Sequence, residues 1–291
     1  MLSSSSVTTA VISVAGIGSR MLPATWSIEK YMLPIYAGSQ TRLLIDWVIE
    51  ECSRAGLERI IFVTTERGKQ QLQDYFENID DSLIKRYEES GKLELVHIEQ
   101  ARRAAYGLRY EYVIQPPDAY GTVVPPFVAR EALQGEEQFF VMTGDNFMYH
   151  EKPISELNLA IETWQKAGSD HVIVGTPMRR EEAVRFGVFD VDDQGNLRRW
   201  LEKPALADAP KDPILATNIS WYGLSNSIWE YLTQEMQTKR SGEHELTFPI
   251  MAALTAGQTF RVYRTLGKYL HCGTPEEFTA AGQYISAHPR R

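Results

Sequence analysis

Apolar positions along this chain switch between two rhythms. Ala10-Val11-Ile12-Ser13-Val14 is a β-branched run that ends in a glycine-rich turn, the pattern of a buried strand. Leu43 to Cys52 carries apolar side chains at helical spacing and stops near Gly56. Arg59-Ile60-Ile61-Phe62-Val63-Thr64 reads as a second buried strand, followed by helical stretches near Lys69 to Phe76 and Ser82 to Glu89. Leu93-Glu94-Leu95-Val96-His97 alternates like a strand, and Tyr110 to Ile114 forms another that leads to Gln115. A helix over about Val128 to Leu133 precedes the strand Phe139-Phe140-Val141-Met142, and the helix Ile154 to Ala167 precedes the strand His171-Val172-Ile173-Val174. This alternation predicts an α/β fold, a Rossmann-like, mostly parallel sheet flanked by helices on both faces.

The rhythm shortens after Thr176. Val188 to Val191, Leu197 to Leu201 and Ile219 to Tyr222 read as short strands around turns such as Asp193-Gln194-Gly195-Asn196, which predicts antiparallel additions at the end of the sheet. Helices over Ser227 to Glu235 and Leu246 to Ala256, the strand Phe260-Arg261-Val262-Tyr263 and a helix from Pro275 to Ser286 complete the pattern. No repeat or linker composition interrupts it. The expectation is one domain over residues 1–291, with halves that meet near residue 176.

Composition narrows the class. The formal net charge of −8 disfavours a nucleic-acid partner, since a phosphate backbone rewards a basic surface. A small anionic substrate stays open, because a few local cations suffice. The only cysteines, Cys52 and Cys272, make no disulfide framework. No apolar run approaches the ~20 residues of a membrane span, and Met1 to Ser6 lack the basic and apolar regions of a signal peptide. A soluble cytoplasmic protein without a membrane partner is the expectation.

The first turn carries the most chemistry. In Val14-Ala15-Gly16-Ile17-Gly18-Ser19-Arg20, two glycines let the backbone turn sharply and bring bare N–H groups close to a ligand. Arg20 adds a permanent fork of donors and Lys30 a more mobile cation, a combination that suits a polyphosphate. A P-loop would place Lys and Ser/Thr directly after the last glycine, where this chain has Ser19-Arg20. A dinucleotide fingerprint would need a third glycine at Met21 and a helix where Pro23 stands. Further along, Phe139 to Met142 runs into Thr143-Gly144-Asp145-Asn146. That puts a carboxylate, a hard ligand for Mg²⁺, at the carboxyl edge of the sheet.

The string from Gly16 through Arg20, Pro23 and Thr25, followed by Lys30 and Met32-Leu33-Pro34, resembles the signature of the sugar-1-phosphate nucleotidyltransferases. Both the uridylyl- and the thymidylyltransferases of glucose 1-phosphate are similar, and the resemblance extends in order over nearly the whole chain. It implies transfer of a nucleotidyl group from an NTP to a hexose 1-phosphate, with UTP and glucose 1-phosphate the favoured pair. Use of dTTP or CTP stays open, since one methyl on the base is worth only ~1–3 kcal/mol.

The same resemblance implies the site. Arg20 and Lys30 would act on the phosphates, with Ala15, Gly16, Gly18 and Ser19 along the nucleotide. Gln115 and Gly121, in Gln115-Pro116-Pro117-Asp118-Ala119-Tyr120-Gly121-Thr122, would read the base, an amide offering both donor and acceptor. Gly187 of Phe186-Gly187-Val188, Glu202 and Lys203 of Glu202-Lys203-Pro204, and Asn218 would hold the sugar phosphate in the second half. Asp145 would hold Mg²⁺, with Mn²⁺ as a substitute, and a homo-oligomer is the implied assembly. Two places depart from the pattern. His271 of Lys268-Tyr269-Leu270-His271-Cys272-Gly273 stands where a second metal-binding Asp belongs, and imidazole suits softer metals than Mg²⁺. Phe248 stands where an Asp is common after Glu245-Leu246-Thr247. A catalytically weakened nucleotide-sugar-binding protein is the rival reading.

Overall fold

The structure, a computed structural model, describes residues 7–37, 40–210, 214–217, 219–239 and 242–290. From the N-terminal side, β1 (Thr9–Ser13) leads through a long loop to a hairpin, β2 (Pro34–Ala37) and β3 (Gln40–Leu43), and to α1 (Leu44–Arg54). Next come β4 (Arg59–Thr64), α2 (Glu66–Phe76), α3 (Asp81–Glu89), α4 (Leu93–Ala104) and β5 (Arg109–Ile114). A short α5 (Val124–Val128) precedes β6 (Gln138–Thr143), and β7 (Asn146–Tyr149) follows almost at once. After α6 (Glu156–Ala167), β8 (His171–Met178) and α7 (Arg180–Ala183) come β9 (Gly187–Val191), β10 (Leu197–Glu202), β11 (Ile214–Ala216) and β12 (Tyr222–Ser225). The rest is α8 (Trp229–Gln237), α9 (Thr247–Thr255), β13 (Phe260–Arg264), β14 (Lys268–His271) and α10 (Pro275–Ala287).

The main sheet runs β10-β9-β11-β8-β12-β6-β1-β4-β5, with β13 alongside β8. Parallel pairing joins β5, β4, β1 and β6, and joins β13 to β8. From β12 to β10 the pairings are antiparallel. The α/β reading with antiparallel additions therefore holds, in a mixed sheet. Because β12 inserts between β6 and β8, strands from both halves of the sequence share one sheet.

Alternation along β1 explains the layers. Ala10 and Ile12 face a core built with α1 and α6, through side chains such as Val48 and Trp164. Val11 faces the opposite core with Leu232 of α8 and Ile250 of α9. Both faces are covered, so Ala10, Val11 and Ile12 of β1 are apolar in succession rather than alternating with polar residues.

Three sequence expectations change. Leu93 to His97 is the start of α4, not a strand. Leu93, Val96, Gln100 and Arg103, with Arg102 beside them, are its half-buried positions, a helical spacing, and the strong helix formers around them outweigh five residues of alternation. The helix expected over Val128 to Leu133 lies earlier, at Val124–Val128, where prolines occupy the first turn and need no N–H partner. The strand expected at Ile219 to Tyr222 starts only at Tyr222, because Ser220 turns the chain with φ +53°. Among the described residues the pattern also missed the β2–β3 hairpin and the β7–β14 ribbon.

Candidate active site

Ligands in open α/β sheets bind beyond the carboxyl ends of the strands, where strand order reverses. Here that point is β1. The chain crosses to β4 and β5 on one side of it and to β6 on the other. In-register pairing of Ser13 with Thr143 sets the glycine loop after β1 beside Gly144-Asp145 after β6. Gly144 donates its N–H to the Ser13 carbonyl at 3.1 Å. A Cβ on Gly144 would lie 2.3 Å from Val14 Cγ1, so only glycine lets the two strand ends approach this closely.

The loop is held by its own sequence. Gly18 takes φ +61°, and the Thr25 hydroxyl donates to its carbonyl at 3.0 Å. Lys30 is 8% exposed and its Nζ lies 2.7 Å from Asp145 Oδ2. A nearly buried ammonium needs such a partner. Arg20 is exposed. A cavity of about 230 Å³ is lined by Gly16, Gly18, Ser19, Arg20, Lys30 and Asp145 among others. It adjoins a larger one of about 670 Å³, with which it shares Ser13, Gly16, Arg20, Thr143 and Asp145. Ala15, Gln115 and Gly121 line the larger cavity. The structure thus brings together the nucleotide-side residues expected from sequence.

Gln115 follows β5, its N–H donated to Thr64 O at 2.9 Å. Its Nε2 donates to Ala119 O at 2.9 Å, so the amide closes its own loop. Gly121 has a reason that sequence did not show. Its φ is +117°, and a Cβ would lie 2.3 Å from the His244 carbonyl oxygen. The segment at His244 straps this loop: His244 N–H donates to Tyr120 O at 3.1 Å and Val123 N–H to His244 O at 2.9 Å. Thr122 Oγ1 accepts from the Leu246 N–H at 2.7 Å and donates to Glu245 Oε2 at 2.9 Å.

The residues expected to hold the sugar phosphate sit elsewhere. Gly187 starts β9 and pairs with Glu202 at the end of β10. A Cβ on Gly187 would meet Trp200 Nε1 at 2.3 Å and Glu202 Oε2 at 2.8 Å. Lys203 has the uncommon φ of +41° and extends into solvent, its Nζ 3.9 Å from Glu202 Oε1. Among the described residues, none of these three lines either cavity. Asn218 lies outside the described residues. The charge of Glu202 does reach Glu245, a neighbour of the cavity-lining Leu246. Burial, then Glu243 and Glu202, hold Glu245 above the ordinary carboxylate range, with the Thr122 hydroxyl pulling the other way. Ser220, Tyr222 and Glu243 line the larger cavity and were missed. The strained φ of Ser220 has no signature in sequence, and Tyr222 read as an ordinary strand residue.

His271 faces Asn146 across the β7–β14 ribbon, one residue from Asp145. Its Nδ1, however, lies 3.0 Å from Glu277 Oε1 on the first turn of α10. Among the described residues, no three His, Cys, Asp or Glu side chains form a group that could hold a metal. The oxygens present do suit a site completed by phosphates. Asp145 offers a carboxylate, and the buried Oδ1 of neighbouring Asn146 has no hydrogen-bond partner. Mg²⁺ is commonly held by one or two protein oxygens plus phosphates and water. Cys272 is buried, which pushes its thiol up to about 12 and keeps it neutral.

The chain is similar to several characterised proteins. A UTP–glucose-1-phosphate uridylyltransferase of Bacillus subtilis (strain 168) is 32% identical over 244 residues, covering 82% of this chain and 77% of that protein. One from Komagataeibacter xylinus is 30% identical over 272 residues, covering 91% and 89%. The solved structure of a UDP-glucose pyrophosphorylase from Acinetobacter baumanii superposes with a TM-score of 0.82 at 26% identity, covering 97% of this chain and 95% of that one. The profile of the family described as "Nucleotidyl transferase" matches residues 9–287, and the chain belongs to that family.

Proposed function

We propose that the chain transfers a uridylyl group from UTP to glucose 1-phosphate, giving UDP-glucose and pyrophosphate. The observation that carries this reading is the convergence of Arg20, Lys30 and Asp145 with Gln115 and Gly121 on two adjoining cavities. The similarity to bacterial UTP–glucose-1-phosphate uridylyltransferases supports the choice of base and sugar. A phosphate oxygen of the sugar phosphate attacks the α-phosphorus, and the bond from that phosphorus to the β-bridging oxygen breaks. The electron pair leaves with pyrophosphate, so no covalent enzyme intermediate is required.

Catalysis of this kind is positioning plus charge neutralisation. Backbone N–H groups at Gly16 to Ser19 cradle the triphosphate beside Ala15. Arg20 holds the β- and γ-phosphates, and Lys30 leaves Asp145 for the α-phosphoryl oxygens. Lys203 aims the sugar phosphate, while Glu202, Asn218 and the backbone at Gly187 take the sugar. A divalent metal is the expectation for the family. We take it as Mg²⁺ or Mn²⁺ held by Asp145, where it supplies charge neutralisation across the phosphates. His271, opposite Asn146 and one residue from Asp145, is proposed as the residue in the second-ligand position.

We further propose one domain, with a nucleotide half to about residue 176 and a sugar-phosphate half after it; the shared sheet supports this. Among the described residues no helix is long and apolar enough to cross a membrane. A cytoplasmic setting is supported by two unpaired cysteines. A homo-oligomer is supported by the exposed Leu22, Trp26 and Tyr36 near the hairpin. A second reading, nucleotide-sugar binding without turnover, is favoured by the His271–Glu277 pairing. Pyrophosphate release with four NTPs against several sugar 1-phosphates separates the two. UTP with glucose 1-phosphate should be the best pair; no release with any pair would leave the binding reading.

A further inference from the structure

We propose that Arg67 is a positioning residue for Lys30, acting through the buried carboxylate of Glu29. The proposal rests on the phosphate role of Lys30. Glu29 directly precedes Lys30, and its side chain is 5% exposed. A carboxylate taken out of water needs a cation and several donors. The first turns of α2 supply them. Arg67 Nε donates to Glu29 Oε1 at 2.8 Å, Nη1 to the Trp26 carbonyl at 2.8 Å and Nη2 to the Thr25 carbonyl at 3.2 Å. Thr65 Oγ1 donates to the same Glu29 oxygen at 3.2 Å. One turn further, Gln71 accepts the Glu29 N–H at 3.0 Å and donates to Ser27 O at 3.3 Å.

One guanidinium therefore holds a carboxylate and two carbonyls of the same loop, which its rigid fork can do and an ammonium cannot. The clamp reaches Lys30 through the backbone. Met32 N–H donates to Glu29 O at 2.9 Å and Leu33 N–H to Lys30 O at 3.1 Å, closing the turn that carries the lysine. Gly68 supports the other side of that turn. A Cβ there would lie 2.3 Å from Tyr31 Oη, which bonds Thr64 Oγ1 at 3.2 Å. The lysine stem is flexible, so the place of its Cα decides where the ammonium can reach. A misplacement of about 1 Å in such a group can reduce rate by about 10²-fold.

The test is a double-mutant cycle on pyrophosphate release, with hydrogen exchange as a readout independent of turnover. Arg67→Ala should lower kcat by about tenfold or more alone, and should lower it no further in a Lys30→Ala background, because the pair acts as a unit. In Arg67→Ala the Met32 and Leu33 amides should exchange faster while those of β1 and β4 stay protected. If the two kcat losses multiply, or exchange at Met32 and Leu33 is unchanged, the proposal is overturned while the role of Lys30 stands. If Lys30→Ala leaves turnover intact, the reading of Lys30 fails and the proposal fails with it.

Discussion

Lys30 Nζ lies 2.7 Å from Asp145 Oδ2, and the two ends of this ion pair are unequally covered, the lysine side chain 10% exposed and the aspartate 39%. Breaking it from either end should therefore have different consequences. Lys30→Ala releases a carboxylate that water can reach, a loss within about 1 kcal/mol. Asp145→Ala leaves an ammonium largely out of water, a loss of about 1–3 kcal/mol. Both should lower pyrophosphate release, Lys30→Ala by ~2–4 kcal/mol of barrier, a residual rate that can be measured. Arg20→Ala, at an exposed residue, should lower turnover by ~2–4 kcal/mol of barrier without moving the melting temperature. Thermal melts beside turnover check this, and a larger melting loss for Lys30→Ala than for Asp145→Ala would contradict the burial argument.

The base loop separates recognition from support. Gln115 lines the larger cavity, so Gln115→Ala should weaken UTP binding and flatten the preference among four NTPs, with the fold unchanged. Gly121→Ala should damage both, because φ +117° strains any other residue and the His244 backbone occupies the space of a Cβ. Strain alone is worth about 1–3 kcal/mol. Calorimetric UTP titration and melting temperatures of the two variants test this. An unchanged melting temperature for Gly121→Ala would show that the strap can move aside.

The convergence of residues at the β1 edge was legible because each piece is local. Gly16 to Arg20, Gln115 and Asp145 each follow a strand, and the parallel run of β1, β5 and β6 puts three strand ends on one edge of the sheet. What sequence could not show depends on distant segments meeting. Nothing near Gly121 announces that His244 will pack on it. Nothing near Lys30 announces that Arg67 will reach the carbonyls of Thr25 and Trp26. The β7–β14 ribbon joins residues far apart in sequence, and four-residue strands leave too short a pattern to read. In α4, the alternation of Leu93 and Leu95 gave way once Gln100 and Arg103 extended a helical face.

Gly187→Ala is expected to act on the sugar phosphate alone. Its Cβ would press on Trp200 Nε1 at 2.3 Å and Glu202 Oε2 at 2.8 Å, displacing the carboxylate proposed to take sugar hydroxyls. KM for glucose 1-phosphate should rise by about tenfold or more, one lost hydrogen bond to a charged group being worth about 1.5–3 kcal/mol. KM for UTP should stay near its original value, since among the described residues Gly187 lines neither cavity at the β1 edge. Equal rises in both would mean that β9 and β10 support the whole site.

His271 has two consequences that can be measured apart. Burial pushes the Glu277 carboxyl up, and the hydrogen bond and charge of His271 together with hydrogen bonds from Thr274 more than reverse this, leaving it below its ordinary value of 4.5. A carboxylate with a lowered folded pKa contributes stability above its unfolded pKa, and that contribution is lost as pH falls through the folded value. The melting temperature of His271→Ala should therefore lie below wild type where Glu277 is ionised, and the gap should close as pH falls below the ordinary carboxylate value of 4.5. The difference is small, because Glu277 is 42% exposed and screened by solvent. His271→Asp instead sets a carboxylate near Glu277 and opposite Asn146, beside Asp145. Two neighbouring carboxylates raise each other's pKa, so this variant should lose stability earlier on acidification. It also returns a hard oxygen near Asp145, so Mg²⁺ half-saturation of pyrophosphate release should fall, and the rate with Mn²⁺ relative to Mg²⁺ should fall with it. If wild type and His271→Asp share one Mg²⁺ half-saturation and one Mn²⁺/Mg²⁺ ratio, position 271 does not touch the metal. Its histidine would then serve only to fasten α10 through Glu277.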